Sequence, residues 1–94
     1  MTDLATATAD RIAENLAAAL PGADIVVANE SHHHAGHTGD DGSGATHWRV
    51  TVTAPAFTGL PRVKRHRLVN AALAELMNAP IHALSIDARA PDEG

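Results

Sequence analysis

The chain contains no cysteine, and Trp48 and Phe57 are its whole aromatic content. Without cysteine, disulfides, thiolate nucleophiles and thiolate metal sites are excluded within this sequence, and the composition fits a cytoplasmic setting. With so few aromatics, the core must be small and aliphatic, built from Leu, Ile and Val. No apolar run approaches the roughly 18 residues of a membrane span. Asp3 and Asp10 stand where a signal peptide would carry a basic opening, so neither a leader nor a membrane partner is expected. The formal net charge of −4 argues against nucleic-acid binding by the surface as a whole. Also missing are a Gly-rich phosphate loop, a nucleophile elbow and paired carboxylates in a plausible cleft. Ser31 and Ser43 flank a His-rich stretch with nothing to order a triad around them. The chain reads as a non-enzyme with no small-molecule substrate.

What is present fits one small domain, since 94 residues can enclose one core. The organising stretch runs from Arg62 to Ile86: a basic opening, an apolar helix, a break at Pro80 and a short strand. Val63, His66, Val69, Leu73, Leu76 and Met77 fall on one helical stripe, while Lys64, Arg67, Ala71, Ala74 and Glu75 fall on the wet side. Upstream, residues 3–20 read as an Ala-rich amphipathic helix with Leu4, Thr8, Ile12, Leu16, Ala19 and Leu20 inward, ended by Pro21-Gly22.

A β-branched run predicts a strand over 24–31, and clean alternation of Trp48, Val50 and Val52 predicts another over 46–54. Between them, residues 32–45 lose all periodicity and gather His and Gly, which reads as a long loop. Phe57 should plug the edge of the core. The helix then spans 61–78, a last strand spans 81–88 with His82, Leu84, Ile86 and Ala88 on one side, and residues 89–94 should fray. A strand–helix–strand unit places the last two strands parallel, with a right-handed crossover. The expected fold is α+β: helix-strand-strand-helix-strand, a three-stranded mixed sheet with helices on one face.

Seven histidines are an excess for this length. His32, His33, His34, His37 and His47 lie in or beside the loop, His66 opens the long helix and His82 opens the last strand. Neutral imidazole ligates zinc, copper and iron. The same loop composition also suits a solvated, pH-responsive tether, His66 suits a hydrogen-bonded core histidine, and His82 suits a ligand or a structural cap. Arg62, Lys64, Arg65 and Arg67 place cations where the helix dipole favours anions, so a docked phosphate or acidic partner would relieve that cost. A simple solvated basic face fits them too.

Taken in order, Glu30-Ser31-His32-His33-His34, Gly44-Ala45-Thr46-His47-Trp48-Arg49-Val50, Phe57-Thr58-Gly59, Arg65-His66-Arg67 and Ile81-His82-Ala83-Leu84 resemble the BolA family from about Ile25 to Ile86. The resemblance implies a KH-like (type II) fold. It also implies a monothiol glutaredoxin as partner and a bridging 2Fe–2S cluster shared with that protein and its glutathione, in iron–sulfur trafficking or iron regulation. No cofactor is then expected in the isolated chain. By the same resemblance His82 is an iron ligand and His34 the leading second ligand, with His37 and His47 as alternates. Histidine ligation of one iron is chemically sound, as in Rieske-type centres. Other members are described as stress-response transcriptional regulators, which would make Arg62, Lys64, Arg65 and Arg67 a DNA contact. The Gly-x-x-Gly clamp of KH domains is replaced here by Phe57-Thr58-Gly59-Leu60-Pro61.

Overall fold

The computed structural model describes residues 4–30, 46–77 and 81–93. The first helix, α1, spans Leu4–Ala19 and buries Thr8, Ile12 and Leu16, one residue per turn on a single face. Leu20 continues that face at the end of the helix. Leu4 and Ala19, expected inward, are exposed: Leu4 lies beyond the N-terminal end of the buried row, and Ala19 lies beside Leu20, which takes the inward place. Pro21 and Gly22 end it, and Gly22 takes φ 80°, a conformation that costs a side-chain-bearing residue about 1–2 kcal/mol.

Strand β1 (Asp24–Asn29) pairs antiparallel with β2 (His47–Thr53), and β2 pairs parallel with β3 (Ala83–Arg89). The sheet order is therefore β1-β2-β3, as the crossover argument requires. Trp48, Val50 and Val52 are buried and form the floor of the core. The 3-10 turn Pro55–Phe57 follows β2 and drives Phe57 fully into the core. Both helices pack on the sheet face that carries these residues. Asp24, Val26, Arg49, Ser85 and Arg89 are exposed on the other.

The second helix, α2, is shorter than the sequence pattern suggests. It spans Arg62–Ala72, with Pro61 as N-cap, and tightens into a 3-10 turn over Ala74–Leu76. Val69, Leu73 and Leu76 are buried as expected. Val63 is not: it is 55% exposed. Following the buried row back by whole turns leads to Arg65, and it is Arg65 that turns inward. Its Nε donates to the Leu60 carbonyl at 2.8 Å, Nη1 donates to the Ala88 carbonyl at 3.2 Å, and Nη2 donates to Glu93 at 2.7 Å. An arginine can lie there because each face of its guanidinium fork finds an acceptor.

Glu93 also accepts from the Ala90 N–H at 3.2 Å, and Ala90 is fully buried. Residues 90–93 are thus anchored rather than frayed. Residues 78–80, where a break at Pro80 was expected, lie outside the described residues.

Candidate functional site

The last strand begins later than its pattern suggests, and the delay matters for His82. Ile81 is fully buried and bridges to Met77. The next two residues, His82 and Ala83, both donate their backbone N–H to one acceptor, the Thr46 carbonyl, at 2.8 and 3.1 Å. Two residues set against one is the signature of a bulge, which re-aims side chains. Its effect here is to break the alternation. Ile81 is buried, His82 and Ala83 are exposed, and Leu84 is half-buried. His82 lies just before the strand and is exposed, whereas Leu84, Ile86 and Ala88 are half-buried. Its side chain is exposed while its backbone is pinned to β2.

Thr46 is the hub of this corner. It is fully buried, and its hydroxyl lies 2.8 Å from His47 Nδ1, one hydrogen being donated according to the imidazole tautomer. That contact engages Nδ1, so a metal bound at His47 would be held through Nε2. His47 is half-buried and sits in register with Ala83, the neighbour of His82. Across β2, the Glu30 N–H donates to the His47 carbonyl at 2.8 Å. Glu30 and Thr46 are the described ends of the segment that carries the other loop histidines. One end of the sheet therefore gathers His82, His47 and both ends of that segment. His32, His33, His34 and His37 lie outside the described residues. Among the described residues, no three His, Asp or Glu side chains group as metal ligands.

The basic opening of α2 is at the opposite end. Arg65 reaches Ala88 near the far end of β3. Seven residues at about 3.3 Å each put that end roughly 20 Å from His82. Of the four cations considered together, Arg62, Lys64 and Arg67 are exposed, whereas Arg65 is bound into the fold. His66 is half-buried and borders a cavity beside β3, so it does not enter the core.

Several ion pairs trim the surface. Glu93, hydrogen-bonded by Arg65 and by the Ala90 N–H, has its pKa held down to about 2. Asp87 is lowered chiefly by the hydrogen bond from Arg89, with Arg49 and Arg62 adding attraction. Glu75 accepts from Asn15 and Arg11, tying α1 to the turn after α2; the Asn15 bond is the main cause of its lowered pKa. Thr46 and Glu93 are the two structural residues that sequence reasoning passed over. Nothing in a lone Thr or a tail Glu marks the partner it will find.

With that geometry in place, known proteins can be set beside it. A family model described as BolA-like protein matches residues 16–93. The chain belongs to the BolA family. The chloroplastic BOLA1 protein of Arabidopsis thaliana is 39% identical over 87 residues, covering 90% of this chain and 54% of the relative. Human BolA-like protein 1 is 51% identical over 63 residues, covering 67% of this chain and 43% of the relative. The chain thus spans about half the length of these two BolA relatives. Among solved structures, BolA1 from Arabidopsis thaliana superposes with a TM-score of 0.80 at 39% identity, covering 92% of this chain and 94% of that one. The BolA domain of SufE1 from the same plant gives 0.80 at 37% identity, with the same coverage. The two-helix, three-stranded mixed sheet is the architecture of BolA structures. No described helix is long and apolar enough to cross a membrane.

Proposed function

We propose that this BolA chain is a cytoplasmic, non-enzymatic interaction module that docks on a monothiol glutaredoxin and shares a bridging 2Fe–2S cluster with it. The observation that carries the reading is the bulge at Thr46. It holds the His82 backbone to the sheet with the side chain exposed, next to Ala83, the register partner of His47, and at the end of the sheet where the segment containing His34 and His37 begins and finishes. An exposed ligand on a fixed backbone suits a cluster that is shared, because the partner must reach the metal from outside.

The donor set fits as well. Imidazoles from this chain would take one iron, with thiolates of the partner and of glutathione on the other, as in a centre ligated asymmetrically by histidine and sulfur. The bound group would supply the electron-accepting or transferable iron–sulfur unit. The chain's own part is to present His82, to fix the ring of His47 through Thr46, and to offer His34 or His37 as the second ligand.

The test is a titration of the protein into cluster-loaded monothiol glutaredoxin with glutathione, read by visible circular dichroism. A new spectrum saturating at one-to-one, lost in His82→Ala, is expected. A His82→Ala protein that forms the mixed cluster normally overturns the assignment.

A further inference from the structure

A cavity of about 320 Å³ opens beside the outer strand β3, far from His82, and is lined by Arg49, Arg62, His66, Ile86, Asp87 and Ala88. Its size is at the lower end for small-molecule sites. Most of its lining comes from two directions. Arg62 and His66 stand one turn apart on α2, hence on one face, and Arg49 reaches in from β2. Ile86 and Ala88 add an apolar margin.

The charges around it do not cancel. Arg49 is paired with Glu30 at 3.3 Å, and Asp87 is held by both donors of Arg89 at 3.0 and 2.6 Å. Arg62 is left over: among the described residues neither it nor His66 makes a hydrogen bond or an ion pair. Three guanidiniums against two carboxylates leave one cation uncompensated, and the spare donors face the same space. Arg49 and Arg62 both add to the pull of Arg89 in lowering the Asp87 carboxyl.

We propose that this cavity binds a small hydroxylated phosphomonoester. Donors converging from two elements match a tetrahedral, three-oxygen anion better than a planar carboxylate, whose two oxygens lie on one edge. Asp87 is ionised and acceptor-only, so it selects a ligand that also carries a hydroxyl. The proposal is of binding, not turnover: the Asp87 carboxylate is already held by the Nε and Nη2 donors of Arg89. The site lies at the other end of β3 from His82, so its occupancy and cluster sharing are separate properties with separate tests.

The experiment is a heteronuclear NMR titration of the full chain with glycerol 3-phosphate, with inorganic phosphate, glycerol and a short DNA duplex as parallel arms. Saturable shifts are expected at the Ile86, Asp87 and Ala88 amides and the His66 ring. Inorganic phosphate should bind more weakly than the ester, and glycerol should not bind. Arg62→Gln, at an exposed residue with no hydrogen bond or ion pair to lose among the described residues, should keep the parent spectrum elsewhere and weaken the ester about tenfold or more. His66→Gln should weaken it too, and Lys64→Gln, on the wet side of α2, should not. Absence of saturable shifts at these groups, or equal affinity in Arg62→Gln, overturns the proposal. A response to the duplex without one to the ester overturns it in favour of a nucleic-acid backbone contact.

Discussion

The Thr46 carbonyl accepts the N–H of His82 at 2.8 Å, so the residue just before β2 sets the position of the histidine just before β3. The two are far apart in sequence, and the parallel pairing of β2 with β3 is what brings them together. Removing only the His82 side chain leaves that bond in place. His82→Ala should therefore change unfolding free energy by no more than about 0.5 kcal/mol, as expected for an exposed side chain. His82→Pro removes the donor as well and should cost at least about 1 kcal/mol. Urea denaturation of the two variants separates the backbone role from the side-chain role.

Thr46→Val keeps the shape of the buried side chain and deletes its hydroxyl. The lost bond to His47 should cost about 0.5–1.5 kcal/mol. If His47 serves as the second ligand, the same variant should also loosen the mixed cluster while His34→Ala leaves it unchanged. Chemical denaturation gives the first number and visible circular dichroism the second.

Arg65 and Glu93 should give the stability a recognisable acid dependence. The Glu93 carboxyl has an ordinary value of 4.5 and is held at about 2 in the fold. Because the folded value is the lower one, the folded state binds fewer protons than the unfolded state across this interval. The contribution is complete above about pH 4.5 and is lost as the pH falls towards 2. Wild-type and Glu93→Gln midpoints should differ near neutrality and converge through that window. Parallel curves would show that the pair contributes nothing.

Gly59 adopts φ 81°, and a methyl group placed there would meet no atom within 4 Å. The cost of Gly59→Ala is then conformational alone, about 1–2 kcal/mol. Gly59→Asn should cost less, since Asn tolerates this backbone region. Phe57→Ala, two residues earlier, empties a fully buried position and should cost about 3–5 kcal/mol. Thermal unfolding should find Gly59→Asn the least destabilised, Gly59→Ala next and Phe57→Ala the most.

The alternating Trp48, Val50 and Val52 were legible in the sequence because a half-buried strand writes its period directly into residue type. The buried turns of α1 and α2 were legible for the same reason. The first turn of α2 was not. There the inward place belongs to Arg65, which polarity alone assigns to solvent, and its partner Glu93 lies in a tail without periodicity. The orientation of His82 was hidden for a related reason. A bulge is a backbone event, and Ile81-His82-Ala83-Leu84 reads as plain alternation until the shared Thr46 carbonyl is known. His82 as the outstanding candidate residue came from the ordered set of BolA-like motifs, not from periodicity.

The separation of His82 from Arg62 along β3 has a consequence for assembly. A protein docked at the histidine end, as proposed above, would meet the start of the strand, and a ligand at α2 would meet its finish. The strand that joins the two has its Ala88 carbonyl clasped by Arg65 and its entry clasped by Thr46. In mechanical terms β3 is a tie-rod fixed at both ends.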